Sequence, residues 1–236
     1  MLAVFTKSKT HFGWAGSTHK ILSQSATNAA NKSLHSKAGI GVFNANEISL
    51  TSVLPDKEKH APYSHSADID NLKSGDAFDL FNKYDSIIKK NIKNEDYENI
   101  EELTGRSLHY LQDMTTPPHS RNSLSSVITE RDLKIHFKIE EDTKRLQSNA
   151  IMQAGKYEID ETTNFDDFLK SKMKENKEIY SDIKKTYAKK KNDKNARKIE
   201  KLEFKSLINS YQVSYRYIKE IGQLKKENDQ KLYIEG

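Results

Sequence analysis

The sequence contains no cysteine. That absence removes thiolate nucleophiles, disulfide frameworks and every cysteine-containing zinc finger, so a metal could be held only by histidine, carboxylate or backbone atoms. Proline is scarce: Pro55, Pro62, Pro117 and Pro118 all stand in the first half, and beyond residue 118 the only glycines are Gly155, Gly222 and Gly236. The second half is therefore free to be helical. Long apolar runs are also missing. Hydrophobic residues make up 35% of the chain and mean hydropathy is -0.85, so no stretch approaches the roughly 20 apolar residues that cross a bilayer. Neither sign of charge dominates, since 39 Lys plus Arg against 34 Asp plus Glu leaves +5 spread along the chain. A pI near 9.0 is weak evidence for a nucleic-acid partner. What the chain does have is length enough, at 236 residues, to bury one core, together with eight histidines.

Apolar periodicity predicts an all-α fold, a compact multi-helix bundle. Ser17 can cap a helix running to about Asn31, with Leu22, Ala26, Ala29 and Ala30 three and four apart. Residues 34–70 read as irregular. Leu72, Phe78, Phe81, Tyr84 and Ile88 restore helical spacing up to about Asn94, and a further helix is expected over residues 96–114. Pro117 and Pro118 force a turn after it. Three more helices are expected over Val127–Gly155, Thr163–Lys191, with Thr163 and Asp166 forming a capping box, and Ala196–Asp229. No alternating strand and no repeat is evident. The lysine-dense run from Lys170 to Lys205 keeps an apolar stripe through Phe168, Met173, Ile179, Ile183 and Tyr187, and so reads as a solvated helical face, with a basic surface for acidic lipid or nucleic acid as the alternative.

Two histidines carry a carboxylate four residues on: His109 with Asp113, and His136 with Glu140. In a helix that step puts both side chains on one face, about 5–6 Å apart at Cβ, close enough to share one metal or hold two neighbouring ones. One such pair is commonplace on solvated helices. Here a third histidine, His119, follows Asp113 by six residues just past the Pro-Pro break, so the chain can turn back and return a ligand to the end of the same helix. Upstream, Asp56 precedes His60 and His65 in a loop-like segment, and Trp14 stands five residues before His19.

This order resembles the zinc-dependent phospholipase C family of secreted bacterial enzymes and toxins, whose all-helical fold is shared with P1-type single-strand nucleases. The most specific stretch, LHYLQDMTTPPHSRN at residues 108–122, is similar to the family segment HYxxDxxxPxHxxN. The resemblance implies three zinc ions in a cleft. Carried over by position, Asp56, His65, His109 and Asp113 would hold one; His119, His136 and Glu140 a second; and Asp113 would bridge to a third held by His19 and Trp14. His60 is the alternative to His65, which is favoured by the Ser-Ala-Asp that follows it. The final HxxxE pair, ending in Glu140, matches the phospholipase branch, whereas the nuclease branch ends in HxxxD. The implied localisation is secreted and bacterial.

The chain departs from the family at three points. Thirteen residues, MLAVFTKSKTHFG, precede Trp14, whereas the family's tryptophan opens the mature protein and binds metal through its free amine. This prefix is too short and polar for a convincing signal peptide. Either it is cut after Gly13, or a leader lies upstream, or the third site is built differently; residues 14–236 are expected to form one helical catalytic domain. Lys57 follows Asp56 where the family has an aromatic for a choline headgroup, so choline specificity is expected to be weak, with Tyr63 the candidate ring for substrate contact. The chain resembles the family's catalytic domain alone and is expected to act without the C-terminal β-sandwich that docks the toxins on lipid. Membrane contact is therefore expected from lysine-rich helices or residues 36–53, and to be weak and salt-sensitive.

Clustered zinc suits phosphodiester cleavage, because it activates water near neutral pH and offsets charge on the phosphoryl oxygens. The leading expectation is a metallohydrolase that cuts phospholipid to diacylglycerol and a phosphorylated headgroup, with Asp56 as both ligand and general base. A P1-type nuclease and a non-catalytic zinc-binding helical protein are the alternatives. No specific nucleic-acid partner is expected.

Overall fold

The computed structural model describes residues 16–34, 42–58, 65, 67–68, 76–121, 130–157, 159–189 and 192–235. These carry seven α-helices: α1 (Gly16–Leu34), α2 (Ala45–Thr51), α3 (Asp76–Lys93), α4 (Ile100–Met114), α5 (Glu130–Ala154), α6 (Phe165–Tyr187) and α7 (Asp193–Glu235). The fold class is all-α, as the periodicity required.

The structure corrects several details. The segment read as irregular contains α2 and a single turn of 3-10 helix at Pro55–Lys57. Seven residues are too few to show a helical period, but Asn44 starts α2 by accepting hydrogen bonds from the amides of Asn46 (3.1 Å) and Glu47 (3.3 Å). The fourth helix begins at Ile100 rather than residue 96, since Asn99 adopts a left-handed φ of 60° that interrupts a right-handed helix. Helix α6 is capped by Asn164, whose side chain accepts from the amide of Asp167 at 2.9 Å; the expected Thr163–Asp166 box does not form, and the Thr163 carbonyl accepts instead from Arg216. Where no strand was expected, β1 (Ala67–Asp68) and β2 (Ser120–Arg121) form a two-residue parallel pair, with Ala67 opposite Ser120.

Helix α7 is the central support and touches α1, α3, α4, α5 and α6. The core between them is aliphatic and aromatic: Leu22 and Ala26 of α1, Phe81 and Ile88 of α3, Leu108, Tyr110 and Leu111 of α4, Ile139 of α5, Leu169 and Met173 of α6, and Leu207, Tyr217, Ile218 and Ile221 of α7 are buried. Along lysine-rich α6, Phe168, Met173, Ile179 and Ile183 are all buried, so the apolar stripe docks that helix onto the core. One close approach needs glycine. A Cβ at Gly105 of α4 would lie 2.1 Å from Thr51 Oγ1 and 2.7 Å from the Ile48 carbonyl oxygen of α2. Among the described residues, no helix is long and apolar enough to cross a membrane.

Candidate metal centre

Helix α4 supplies two donors one turn apart, His109 and Asp113, both fully buried. Asp113 turns Oδ2 toward His65 Nδ1 (2.6 Å) and His109 Nε2 (3.1 Å), and Oδ1 toward His19 Nε2 on α1 (3.3 Å). The 3-10 turn brings Asp56 Oδ1 to 3.6 Å from His109 Nε2, and His65 Nδ1 lies 3.1 Å from that same nitrogen. Two sets result, His19–His109–Asp113 and Asp56–His65–His109, within each of which one donor atom per residue lies within 4.8 Å of the others. Donors around a tetrahedral zinc-sized ion are about 3.3–3.5 Å apart; the spacings at His109 and His19 are of that order.

The remaining expected ligands stand alongside. The β1–β2 pair carries His65 and His119 to the same place, and His119 Nδ1 meets the His65 carbonyl at 2.6 Å. Its ring lies 5.3 Å from that of His136 on α5, and His136 Nε2 lies 2.6 Å from Glu140 Oε1. Beyond α4, the Pro117–Pro118 turn is closed by the amides of Thr116 and His119, which donate to the carbonyls of Asp113 (2.8 Å) and Thr116 (2.9 Å). The Thr115 carbonyl is held from outside by Asn176 and Ser210. Trp14, His60 and Tyr63 lie outside the described residues.

Hydrogen bonding fixes how the rings present themselves. Gln112 donates from Nε2 to Ser23 Oγ (3.0 Å) and Ser214 Oγ (3.1 Å), so its Oε1 must be the acceptor for His19 Nδ1 at 2.7 Å. His109 Nδ1 donates to the Ser52 carbonyl at 2.9 Å, and His119 Nδ1 to that of His65. In the neutral rings this leaves each Nε2 with a lone pair, the arrangement that outer partners impose on metal-binding histidines. At His19 the consequence is explicit. Its Nε2 and Asp113 Oδ1 are buried, face one another and have no hydrogen-bond partner; two acceptors in that position call for a cation between them. The residues therefore fit a metal ion, and with only nitrogen and oxygen donors they fit one that imidazole and carboxylate suit.

The electrostatics point the same way. Burial alone would push the Asp113 carboxyl up, yet the surrounding imidazoles, His109 foremost, pull it well below the usual range. Burial would lower His19 and His65, but Asp113 and Asp56 raise both, so the cluster lacks positive charge. His119 goes the other way: burial, then the charge of His136, lower it to about 3, which keeps its imidazole neutral and able to ligate.

Sequence reasoning missed the residues that orient these groups. Gln112 lies inside the quoted motif but acts through partners on α1 and α7, while Ser52 acts through a backbone carbonyl, which no side-chain pattern records. Arg106, one turn before His109, binds Glu102 at 2.9 Å and also Glu58, tying the segment that carries Asp56 to α4. A charged residue at i-3 gives no such signal by itself.

No family model matches the chain, and no curated protein matches it. Solved structures do. An alpha toxin from Clostridium absonum is 19% identical with a TM-score of 0.66, over 89% of this chain and 66% of the toxin. Clostridium perfringens alpha-toxin from avian strain SWCP is 20% identical with a TM-score of 0.62, over 92% of this chain and 66% of the toxin. The chain thus spans just under two thirds of each toxin's length. At these identities the likeness is one of fold: the chain follows the helical architecture of the part of the Clostridium alpha-toxins that it covers.

Proposed function

We propose that the protein is a secreted bacterial zinc metallohydrolase that cleaves phospholipid phosphodiester bonds, releasing diacylglycerol and a phosphorylated headgroup. The observation that carries this reading is the buried, partnerless pair His19 Nε2 and Asp113 Oδ1, set among His65, His109 and Asp56 in a fold shared with the alpha-toxins. Three zinc ions are proposed. Asp56, His65, His109 and Asp113 would hold one; His119, His136 and Glu140 the second; and Asp113, His19 and Trp14 the third. Bound zinc would supply positive charge for the phosphoryl oxygens and a water acidic enough to attack near neutral pH.

The chain's own groups divide the remaining work by exposure. Asp113 has no solvent contact and serves to hold and orient. The side chain of Asp56 keeps 9% exposure at the edge of the cluster, so it can meet a water from outside and is assigned as general base. Lys57, next to it, is exposed and disfavours a quaternary ammonium, which weakens choline preference; Tyr63 is proposed to offer a ring to the substrate. Contact with the membrane is proposed to be peripheral, weak and sensitive to salt.

The test is release of phosphorylated headgroup from a soluble short-chain phospholipid by zinc-loaded protein, with chelator-treated protein and single-stranded DNA in parallel. Chelator-sensitive release is expected, with the DNA intact. Cleavage of the DNA without headgroup release would move the assignment to a nuclease. No turnover on either by fully zinc-loaded protein would overturn the catalytic reading.

A further inference from the structure

Apart from the metal centre, one cavity among the described residues is built like a ligand site. It holds about 850 Å³ and lies between α5, the C-terminal end of α6 and the first turns of α7, and none of the candidate metal ligands lines it. That volume falls in the range of small-molecule sites, about 300–1,000 Å³. Ile135, Tyr187 and Ile199 give it apolar walls, and Glu203 contributes a carboxyl that is 1% exposed and whose Oε1 has no hydrogen-bond partner. A buried carboxyl oxygen without a donor is unfavourable.

The neighbouring charges do not remedy this. Asp142 also lines the cavity and repels the Glu203 charge, whereas Lys138 and Arg145 attract it. Lys138 is bound to Asp142 Oδ1 at 2.8 Å and Arg145 to Glu200 at 3.2 Å, and the two cationic side chains are 47% and 62% exposed. Solvated charges of that kind act weakly on a buried group. Burial first, and Asp142 second, accordingly raise Glu203 to about 8.

We propose that this cavity is a second ligand site that takes an organic monocation, a protonated primary amine on a short apolar body, with the ammonium donating to Glu203 Oε1 and the body lying against Ile135, Tyr187 and Ile199. Five cationic side chains, Arg131, Lys134, Lys138, Arg145 and Lys189, also line the cavity, but all five are exposed; an anion would be drawn to them and away from buried Glu203, and an uncharged body would leave Glu203 Oε1 without a donor. Ammonium binding ionises Glu203 and releases its proton to solvent.

The experiment uses the full chain and three probes with the same six-carbon body: hexylammonium, hexanol and hexanoate. Methyl NMR of the wild-type protein should show saturable shifts at Ile135 and Ile199 with hexylammonium, and affinity at least about tenfold above that for hexanol. Calorimetry at pH 7 in two buffers of different ionisation enthalpy should show close to one proton released. Glu203→Gln should weaken hexylammonium binding about tenfold and abolish the proton release. Equal binding of hexanol, tighter binding of hexanoate, shifts confined to other methyls, or a Glu203→Gln variant that matches wild type would each overturn the proposal. The three-probe comparison needs only wild-type protein, so it decides the matter whatever the substitution does to folding.

Discussion

Gly105→Ala sets two opposed effects against each other, and the structure says which wins. In the interior of α4, alanine in place of glycine would ordinarily stabilise by about 1 kcal/mol. Here the new Cβ would meet Thr51 Oγ1 at 2.1 Å, the Ile48 carbonyl oxygen at 2.7 Å and the Ser52 amide nitrogen at 3.0 Å. The Thr51 hydroxyl could turn away only by giving up its bonds to the carbonyls of Glu47 (2.9 Å) and Ile48 (3.2 Å). The backbone atoms cannot turn, so α2 must retreat by several tenths of an ångström. Overpacking of this sort costs about 1–3 kcal/mol and a lost hydrogen bond about 1 kcal/mol more. After subtracting the helix gain, the variant should be destabilised by about 2 kcal/mol, a fall in Tm of about 4–8 °C for a chain of this size.

The same retreat reaches the metal centre. Ser52 follows Thr51 directly, and its carbonyl is the acceptor that orients His109 at 2.9 Å. Loss of an outer partner of a metal-binding histidine typically costs about 10–100-fold in affinity; a lengthened bond should lie near the lower end, about tenfold. Urea denaturation of chelated protein and zinc competition titration measure the two effects separately. Gly155→Ala is the control, since nothing lies within 4 Å of a Cβ there, and it should be neutral or stabilising by up to about 1 kcal/mol. A rise in the urea midpoint of Gly105→Ala would refute the steric reasoning. A fall in midpoint with unchanged zinc affinity would refute the link between helix approach and His109.

Three further outcomes are expected. Zinc at about one hundred times its Kd should stabilise wild type by about 2.7 kcal/mol, and alanine at His109, His119 or His136 should reduce both bound zinc and the zinc-induced rise in Tm; if none of the three moves either, the metal reading fails. Gln112→Leu leaves buried His19 Nδ1 without its acceptor and should lower zinc affinity by about 10–100-fold, whereas Gln112→Glu, which keeps an acceptor there, should lose less; equal losses in competition titrations would count against the orienting role. Glu203 stands at about 8 in the folded chain against an ordinary 4.5, so between those values the folded state holds a proton that the unfolded chain releases. Stability from this group is full below about pH 4.5 and declines toward pH 8, by at most about 1.4 kcal/mol per pH unit. Glu203→Gln should flatten that decline in urea midpoints taken from pH 5 to 8, and identical slopes for the two proteins would dismiss the assignment.

The parts of the centre legible in sequence are those fixed by a local period. His109 with Asp113, and His136 with Glu140, are one helical turn apart whatever the rest of the chain does, and the Pro-Pro break forces His119 back toward α4. The existence of the long helices followed for the same reason, whereas their bounds moved: Ser17 lies inside α1 and does not cap it, α6 ends at Tyr187 and not near Lys191, α7 runs to Glu235 and not to Asp229, and Asn99 with its left-handed φ sets the start of α4. What stayed hidden is set by partners far apart in the chain. His65 meets His119 through a two-residue parallel pair too short to leave an alternating pattern, and α2 is only seven residues long. The orientation of the rings depends on a backbone carbonyl at Ser52, on another at His65, and on Gln112, which is held by serines on α1 and α7. A donor list can therefore be read from spacing, whereas lone-pair direction cannot. His19 shows why the distinction matters: its residue type would equally suit a satisfied core histidine, and only the Gln112 network, by engaging Nδ1 and leaving Nε2 against an acceptor, fits it to hold a metal.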